Sequence, residues 1–217
     1  MTPGEPLVRW DWIVSHGDEI ARRTQEHLVL AGIAVTIGFA ISLVVGIAVA
    51  RRPRLYALAT WIGGVLYTIP SLALFVLLVP FTGLSIWTAE IGLVSYTLLI
   101  LVRNIVAGIR SVPDEVRQAA AGMGYTATQL LWRVDLPLAM PVIVAGVRTA
   151  AVTTIGLVTV TALIGQGGYG AFILDGISRF FSTPLILGAV LSIALAIAVD
   201  GILVLVQRRL TPWAAAR

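Results

Sequence analysis

Apolar residues fall into five long runs that are separated by shorter polar segments. The runs cover residues 28–50, 55–79, 86–109, 139–164 and 185–206. Each has about 20 residues or more, the length that an α-helix needs to cross the hydrocarbon core of a bilayer. The pattern therefore predicts an all-α, polytopic membrane protein with five transmembrane helices. Gly63, Gly64 and Pro70 interrupt the second run, so this helix is expected to kink or break.

The longest polar segment between two runs begins at Ser111 and is expected to start with a helix. Ser111 followed by Asp114 fits a helix N-cap with an acid three residues later, and Pro113 suits the first turn. Good helix formers follow. Gly122 and Gly124 are then expected to end the helix, because glycine adopts backbone angles that other residues avoid.

A second helix is expected to start directly after this glycine turn. Thr126 with Gln129 forms a second capping box, which is typical of a helix N-terminus. Apolar residues follow, and Pro137 and Pro141 are expected to close this helix. Residues 111–138 are therefore predicted to fold as helix, glycine turn and helix, a compact element that suits a protein partner.

Composition supports a membrane protein and excludes several other classes. Of the 217 residues, 58% are hydrophobic and 12% are charged, and the mean hydropathy is +0.95. The chain has no cysteine, which excludes disulfides and cysteine-based metal sites. All 15 basic residues are arginine, so the lysine of a phosphate-binding loop is missing and the chain cannot itself be a P-loop ATPase. In a membrane protein, basic excess usually marks cytoplasmic loops rather than a nucleic-acid partner.

The arginines are distributed unevenly between the two ends of the predicted spans. Most of them follow the first, third and fifth runs, as Arg51, Arg52, Arg54, Arg110, Arg117, Arg133, Arg208, Arg209 and Arg217. The connections at the opposite ends, residues 80–85 and 165–184, hold Arg179 alone. The positive-inside rule therefore predicts an N-terminus outside the cytoplasm, a C-terminus inside it, and a cytoplasmic segment at residues 111–138.

This topology divides the chain into three segments. Residues 1–27 form an extracytoplasmic segment, either an interfacial helix with Trp10 and Trp12 at the lipid headgroups or an unstructured tail. Residues 28–206 form the membrane domain, which includes the polar helix pair. Residues 207–217 form a cytoplasmic tail.

Three charged residues lie within the predicted spans and need a reason to be there. Arg103, Arg148 and Asp200 all fall in the halves of their spans that the topology places towards the cytoplasm. An unpaired charge at the centre of the bilayer costs on the order of 3 kcal/mol. Arginine can extend to the interface but aspartate is too short, so Asp200 is predicted to pair with Arg148 or Arg103. Glu90, near the outer end of its span, is expected to be solvated.

Motifs that would indicate catalysis, metal binding or nucleotide binding are weak. His16 and His27 have no second ligand at a useful spacing, so no metal site is predicted. Residues 165–170 fit the G-x-G-x-x-G pattern, but they follow a predicted membrane span instead of a β-strand, which argues against a dinucleotide site. Their glycines are expected to allow a tight backbone turn. No catalytic triad or paired-acid site is recognisable.

The polar segment resembles the cytoplasmic EAA loop of the permeases of ABC importers. The matching residues, at the spacing of that loop, are Gln118-Ala119-Ala120, Gly124, Val134 and Leu136-Pro137. The EAA pattern begins with glutamate where this chain has Gln118, which removes any salt bridge that the glutamate would make. The resemblance implies contact with an ATPase subunit through Val116, Gln118, Ala119, Ala120, Gly122, Met123 and Gly124. It also implies that Leu136 and Pro137 close the loop, with Tyr125 and Trp132 as candidate packing anchors.

Most of the chain from about residue 20 onwards resembles the permeases of osmoprotectant importers, which carry glycine betaine, choline, carnitine or proline. The similar segments are residues 67–75, 101–104, 146–150 and 162–170. Methionine-importer permeases share the polar loop and the glycine-rich segment, but residues 71–74 favour the osmoprotectant group.

The resemblance implies the type I importer permease fold in a bacterial cytoplasmic membrane. It implies a second permease subunit, identical or different, two ATPase subunits that bind ATP and magnesium, and an extracytoplasmic solute-binding protein. No cofactor is expected on this chain, and no nucleic-acid partner. The chain is thus expected to be a transport subunit and not an enzyme.

A secondary transporter, a channel and a purely structural membrane subunit are the alternatives from other classes. A secondary transporter would normally have more polar residues in its spans, or inverted repeats with matching broken helices. This sequence shows one clear break, in the second run. A structural subunit would not need a capped polar helix pair. The sequence therefore favours an importer permease, without naming its solute.

Overall fold

The computed structural model describes residues 6–214, and helices make up most of this part. The α-helices are α1 (Trp10–Ser15), α2 (Gly17–Ala50), α3 (Pro53–Thr68), α4 (Ser71–Thr82), α5 (Ile86–Arg110), α6 (Asp114–Gly122), α7 (Ala127–Leu130), α8 (Leu136–Val158), α9 (Gly170–Ser178) and α10 (Ser182–Leu210). A π-helical turn, Leu131–Asp135, joins α7 to α8, and 3-10 turns cover Val160–Ile164 and Pro212–Ala214. No strand occurs among residues 6–214, in agreement with the all-α prediction. The predicted ends at residues 1–5 and 215–217, Arg217 included, lie outside the described residues.

Helix lengths and composition allow four or five membrane spans within the described chain. Four helices qualify alone: α2, α5, the continuous helical stretch Ala127–Val158, and α10. Helices α3 and α4 qualify together and meet at a bend of 94°. Pro70 stands at this bend as the N-cap of α4, with an extended backbone (φ −54°, ψ 132°) and no amide proton to continue α3. The predicted break in the second run is therefore confirmed.

Helix α2 begins well before the apolar run that predicts it. The run starts at residue 28, whereas α2 starts at Gly17. Charged side chains one turn apart stabilise the added turns, because Arg22 and Arg23 approach Glu26 at 3.0 and 2.9 Å. The predicted boundary at residue 27 therefore does not coincide with a helix boundary.

The first of two compact units comprises Met1–Thr36, Ile69–Val94 and Ala151–Val199. Its core is built from buried residues of α2, α4, α5 and α8 that include Ala34, Phe75, Leu93 and Ile155. Helix packing in lipid depends on small residues that let backbones approach. Gly92 is such a residue, since a Cβ there would lie 2.4 Å from the Phe75 ring.

The second unit comprises Ile37–Thr68, Ser95–Ala150 and Asp200–Arg217. Its core contains Leu101, Ile105, Ile109, Ala139 and Ile143. Gly46 of α2 packs directly on α5, because a Cβ there would lie 2.6 Å from the side chain of Ile105. The polar helix pair belongs to this unit.

The N-terminal segment packs against the rest of the first unit. The amide of Arg9 donates to the Thr183 hydroxyl at 3.0 Å, and the Trp12 ring stacks on His16 with centroids 3.9 Å apart. Trp10 is 72% exposed. The described part of the segment is therefore helical, and the headgroup position of Trp10 and Trp12 stays a prediction.

The glycine-rich turn at residues 165–170 closes on a buried histidine. His27 is fully buried, and its Nε2 lies 2.9 Å from the carbonyl of Ile155, to which it must donate. The amide of Tyr169 donates to Nδ1 at 3.3 Å. Gly168 has a positive φ of 41°, and a Cβ there would lie 2.6 Å from the Cβ of His27. The expected tight backbone turn is thus present, with positive φ at Gly165, Gly167 and Gly168, and close packing adds a second need for glycine at Gly168.

Candidate functional site

Helix α6 begins after Pro113, and the prediction that Ser111 is its N-cap is wrong. The amide of Ser111 donates to the carbonyl of Ala107 at 2.9 Å, and its hydroxyl donates to that of Gly108 at 2.8 Å. Ser111 thus completes the C-terminus of α5. Pro113 is the N-cap, with φ −59° and ψ 141° and no side-chain cap hydrogen bond. Proline disfavours helical geometry in the residue before it, which separates the two helices here.

The glycine turn after α6 is a complete Schellman motif. The amide of Gly124 donates to the carbonyl of Ala121 at 2.9 Å, and the amide of Tyr125 donates to that of Ala120 at 3.1 Å. Gly124 has a φ of +83°, the left-handed conformation that this motif requires. The prediction that glycine ends the helix at this turn is confirmed, and the position that needs glycine is Gly124.

Helix α7 starts with the predicted capping box. The amide of Thr126 donates to the side-chain oxygen of Gln129 at 2.9 Å, and the amide of Gln129 donates to the Thr126 hydroxyl at 3.3 Å. Two amides that would otherwise lack partners are satisfied reciprocally. The sequence prediction is therefore confirmed at this position.

Pro137 and Pro141 were predicted to end the helix that follows, and this prediction is wrong. The helix continues through the π-helical turn Leu131–Asp135 into α8, and Pro141 lies inside α8. A proline in a helix removes one amide donor and its ring crowds the carbonyl four residues earlier. For Pro137 that carbonyl belongs to Arg133, within the wider π-helical turn, which relieves the crowding. The predicted second short helix is therefore the start of a membrane-length helix.

A buried aspartate at the end of the π-helical turn holds α6 in place. Asp135 is fully buried and accepts from Arg117 Nε at 2.8 Å and from Arg51 Nη2 at 2.7 Å. Arg117 belongs to α6 and also donates to the carbonyl of Ile109, whereas Arg51 follows α2. Burial alone would lower the pKa of Arg117, but hydrogen bonds and the charge of Asp135 outweigh it and raise that pKa above its ordinary value. One carboxylate therefore joins the polar helix to two other elements of the same unit.

The residues predicted to contact an ATPase fall on two sides of α6. Val116 and Met123 are 39% and 70% exposed, and Trp132 beyond the turn is 59% exposed. Exposed residues of the predicted set also include Gln118, Ala119, Gly122 and Gly124. Ala120, in contrast, is 3% exposed and packs within the chain. We call the exposed residues from Val116, in α6, to Met123, its C-cap, the outer face.

The predicted loop-closing pair lies at the start of α8. Leu136 is 7% exposed and belongs to the core of the second unit, next to Ala139 and Ile143. Pro137 is half-buried. Together with Asp135, these residues connect the polar helix pair to a membrane-length helix.

Of the three charges predicted within spans, the structure brings two together. Arg148 donates to both carboxylate oxygens of Asp200, from Nε at 2.8 Å and from Nη2 at 3.0 Å. Gln207 accepts from Arg148 Nη1 at 3.2 Å. Arg103 belongs to no ion pair of the described chain. The side chains are 29% and 36% exposed, and the bidentate geometry is that of the stronger charge-assisted pairs.

Glu90 is buried, and the prediction that it is solvated is wrong. It is 5% exposed, and neither carboxylate oxygen has a hydrogen-bond partner among the described residues. Its neighbours on α5, Ala89 and Leu93, belong to the core of the first unit. A position near the end of a span does not place a side chain in water when neighbouring helices cover it.

Sequence reasoning did not single out Asp135. The available signal was an acid directly before an apolar run, in a segment rich in arginine. The same argument that predicts a partner for Asp200 applies to Asp135, because both are short acids at the margin of an apolar helix.

Comparison with known proteins gives one family and a consistent set of relatives. The family described as "Binding-protein-dependent transport system inner membrane component" matches residues 27–212. A choline transport system permease protein of Bacillus subtilis (strain 168) is 33% identical over 201 residues, which cover 93% of each chain. An osmoprotectant import permease protein of Salmonella typhimurium is 36% identical over 206 residues, 93% of this chain and 96% of the relative.

Solved structures with a similar fold are also found. An inward-facing conformation of the MetNI methionine ABC transporter superposes with a TM-score of 0.83 at 23% identity, covering 91% of this chain and 98% of that chain. At this level of identity the likeness shows a common fold and carries no information on the solute.

Proposed function

Since the chain belongs to the family of binding-protein-dependent transport system inner membrane components and has the type I importer permease fold, we propose that it transports osmoprotectants. The relatives named for choline and osmoprotectant transport carry this proposal, because their similarity extends over nearly the whole chain. The solute class is a small quaternary ammonium compound or zwitterion, such as choline or glycine betaine. A methionine importer is the weaker alternative, since its support is a likeness of fold.

Uptake measurements test the solute class. Cells that lack other osmoprotectant uptake and carry the complete transporter should accumulate radiolabelled choline or glycine betaine, and growth at high osmolarity should recover. Unlabelled betaine or choline should compete, and methionine should not. Competition by methionine alone would favour the alternative.

We further propose that the outer face of α6 docks on a separate ATPase subunit. The Asp135 ion pairs support this role, because they tie α6 through Arg117 to the start of α8, and a helix held in this way moves with its unit and transmits displacement. Exposed apolar side chains at Val116 and Met123 offer contact area. ATP and magnesium would bind to the ATPase, with no cofactor on this chain.

Cysteine crosslinking tests the docking surface, and the chain has no cysteine of its own. Val116→Cys should crosslink to a cysteine placed on the surface of the ATPase that faces the membrane domain. Ala120→Cys is the matched control, since it lies one turn away on the same helix but is buried. Equal crosslinking of both, or of neither, would contradict docking through the outer face.

The proposed orientation places the N-terminus outside and the polar helix pair in the cytoplasm. Its support is the arginine asymmetry of the connections. An impermeant thiol reagent should reach Leu84→Cys from outside and Leu55→Cys from the cytoplasmic side. The reverse labelling would invert the topology. The remaining proposed partners are a second permease subunit, an extracytoplasmic solute-binding protein and membrane lipid.

A further inference from the structure

Glu90 differs from the other acids near the ends of the spans. It lies in the second turn of α5 and is 5% exposed. Neither of its carboxylate oxygens has a hydrogen-bond partner among the described residues. Asp135 and Asp200 in contrast each have arginine partners at 2.7 to 3.0 Å. Within the described chain, Asp135 and Asp200 thus have charged partners, whereas the carboxyl group of Glu90 has no hydrogen-bond partner.

The surroundings of Glu90 are apolar. Its neighbours Ala89 and Leu93 share a core with Phe75 of α4 and Ile155 of α8. A second polar atom of this unit, the Thr154 hydroxyl on α8, is also buried without a partner. Ionisable residues within membrane spans are costly and usually mark substrate or ion pathways. Packing alone gives no reason to retain an acid here.

We propose that Glu90 binds the ammonium group of the solute as the solute crosses the membrane, an inference that rests on the proposed function. A quaternary ammonium group carries no N–H and cannot be satisfied by hydrogen-bond acceptors in the usual way. It is held by negative charge and by apolar or aromatic surfaces in contact with its methyl groups. An acid buried without hydrogen bonds favours its neutral form, so the site provides this combination only once it opens and Glu90 ionises beside the apolar side chains of the core.

Glu90 is buried in the conformation described, so the site has to open in another state of the transport cycle. Movement of helices between two packed arrangements is the usual basis of such opening. The accessibility of position 90 should therefore depend on the nucleotide state of the complete transporter. A carboxyl that merely fills space would stay inaccessible in every state.

Thiol labelling tests this accessibility. Glu90→Cys in the assembled transporter should react, in one nucleotide state, with a methanethiosulfonate reagent that carries a trimethylammonium group. Ala89→Cys is the control, because it is fully buried in the same turn and belongs to the core. Absence of labelling at position 90 in all states, or equal labelling of positions 89 and 90, would overturn the proposal.

Transport by charge variants provides an independent test. Glu90→Gln keeps the shape of the side chain and should lower choline uptake by about tenfold or more, because one partner of a buried charge pair is lost. Glu90→Asp should restore part of the rate. The amount of assembled transporter in the membrane should match that of the parent. Choline uptake by Glu90→Gln at the parent rate would refute the ammonium site while leaving the proposed function intact, whereas a parent transporter that carries neither choline nor glycine betaine would refute both.

Discussion

Replacing Asp135 should loosen α6 without disturbing the membrane helices. Asp135→Asn removes the charge that binds Arg117 and Arg51 and places an amide group opposite their donors. The arginine side chains are 21% and 54% exposed, so their contributions differ. A charge-assisted bond to the less exposed Arg117 contributes about 1.5–3 kcal/mol. The bond to the more exposed Arg51 contributes about 1 kcal/mol or less.

The expected loss is therefore about 2–4 kcal/mol, localised at the polar helix pair. Hydrogen exchange of the amides that close α6, those of Met123 and Tyr125, measures this loss directly. Their protection should fall by roughly 30- to 700-fold, since each 1.4 kcal/mol corresponds to a factor of ten. Amides in the middle of α10 should retain their protection.

Asp114→Asn is the matched control, because Asp114 pairs with the same Arg117 at 3.2 Å but is 81% exposed. Its loss should stay below about 1 kcal/mol. The double variant Asp135→Asn with Arg117→Gln should lose less than the sum of the two single variants. Equal exchange in Asp135→Asn and Asp114→Asn, or strict additivity in the double variant, would refute the anchoring role of Asp135.

Three further changes test other parts of the structure. Gly124→Val should cost about 1–2 kcal/mol in the left-handed turn and sharply reduce solute-stimulated ATP hydrolysis by the reconstituted complex. Gly122→Ala, where the added Cβ meets open space, should leave this hydrolysis unchanged. Equal hydrolysis by the two variants would refute a role for the turn. Asp200→Asn should lower the thermal midpoint of the solubilised chain more than the control Asp175→Asn does, because Arg179, the partner of Asp175, is 72% exposed. The reverse order would contradict a stabilising role for the Arg148–Asp200 pair. Gly168→Ala should reduce the yield of folded protein in size-exclusion profiles, because its Cβ would lie 2.6 Å from that of a buried histidine; a normal profile would show that the turn can relax.

Local features of this chain could be predicted from the sequence because their causes are local. The break at Pro70 follows from a missing amide proton, and the turn at Gly124 follows from the absence of a Cβ. The capping box of Thr126 and Gln129 depends on residues three positions apart. Apolar runs long enough to span a bilayer identify membrane helices for the same reason. The spacing of the polar loop likewise indicated the family.

Helix boundaries were less predictable where neighbouring elements compete for the same residues. Ser111 could cap α6 by its sequence, but α5 extends far enough to take its amide and hydroxyl. Pro137 and Pro141 would ordinarily end a helix, but the π-helical turn before them lets it continue. These outcomes depend on the relative stability of alternatives that the local sequence allows equally.

The sequence by itself thus determined the class of fold, the broken span and the capped polar helix pair. The tertiary structure decided which charges are satisfied, because the partners are distant along the chain. Arg51 and Asp135 are separated by 84 positions, and Arg148 and Asp200 by 52. Glu90 looks much like any acid near the end of a span until the surrounding helices bury it. Burial and charge pairing are properties of the packed helices, and no local pattern of residues specifies them.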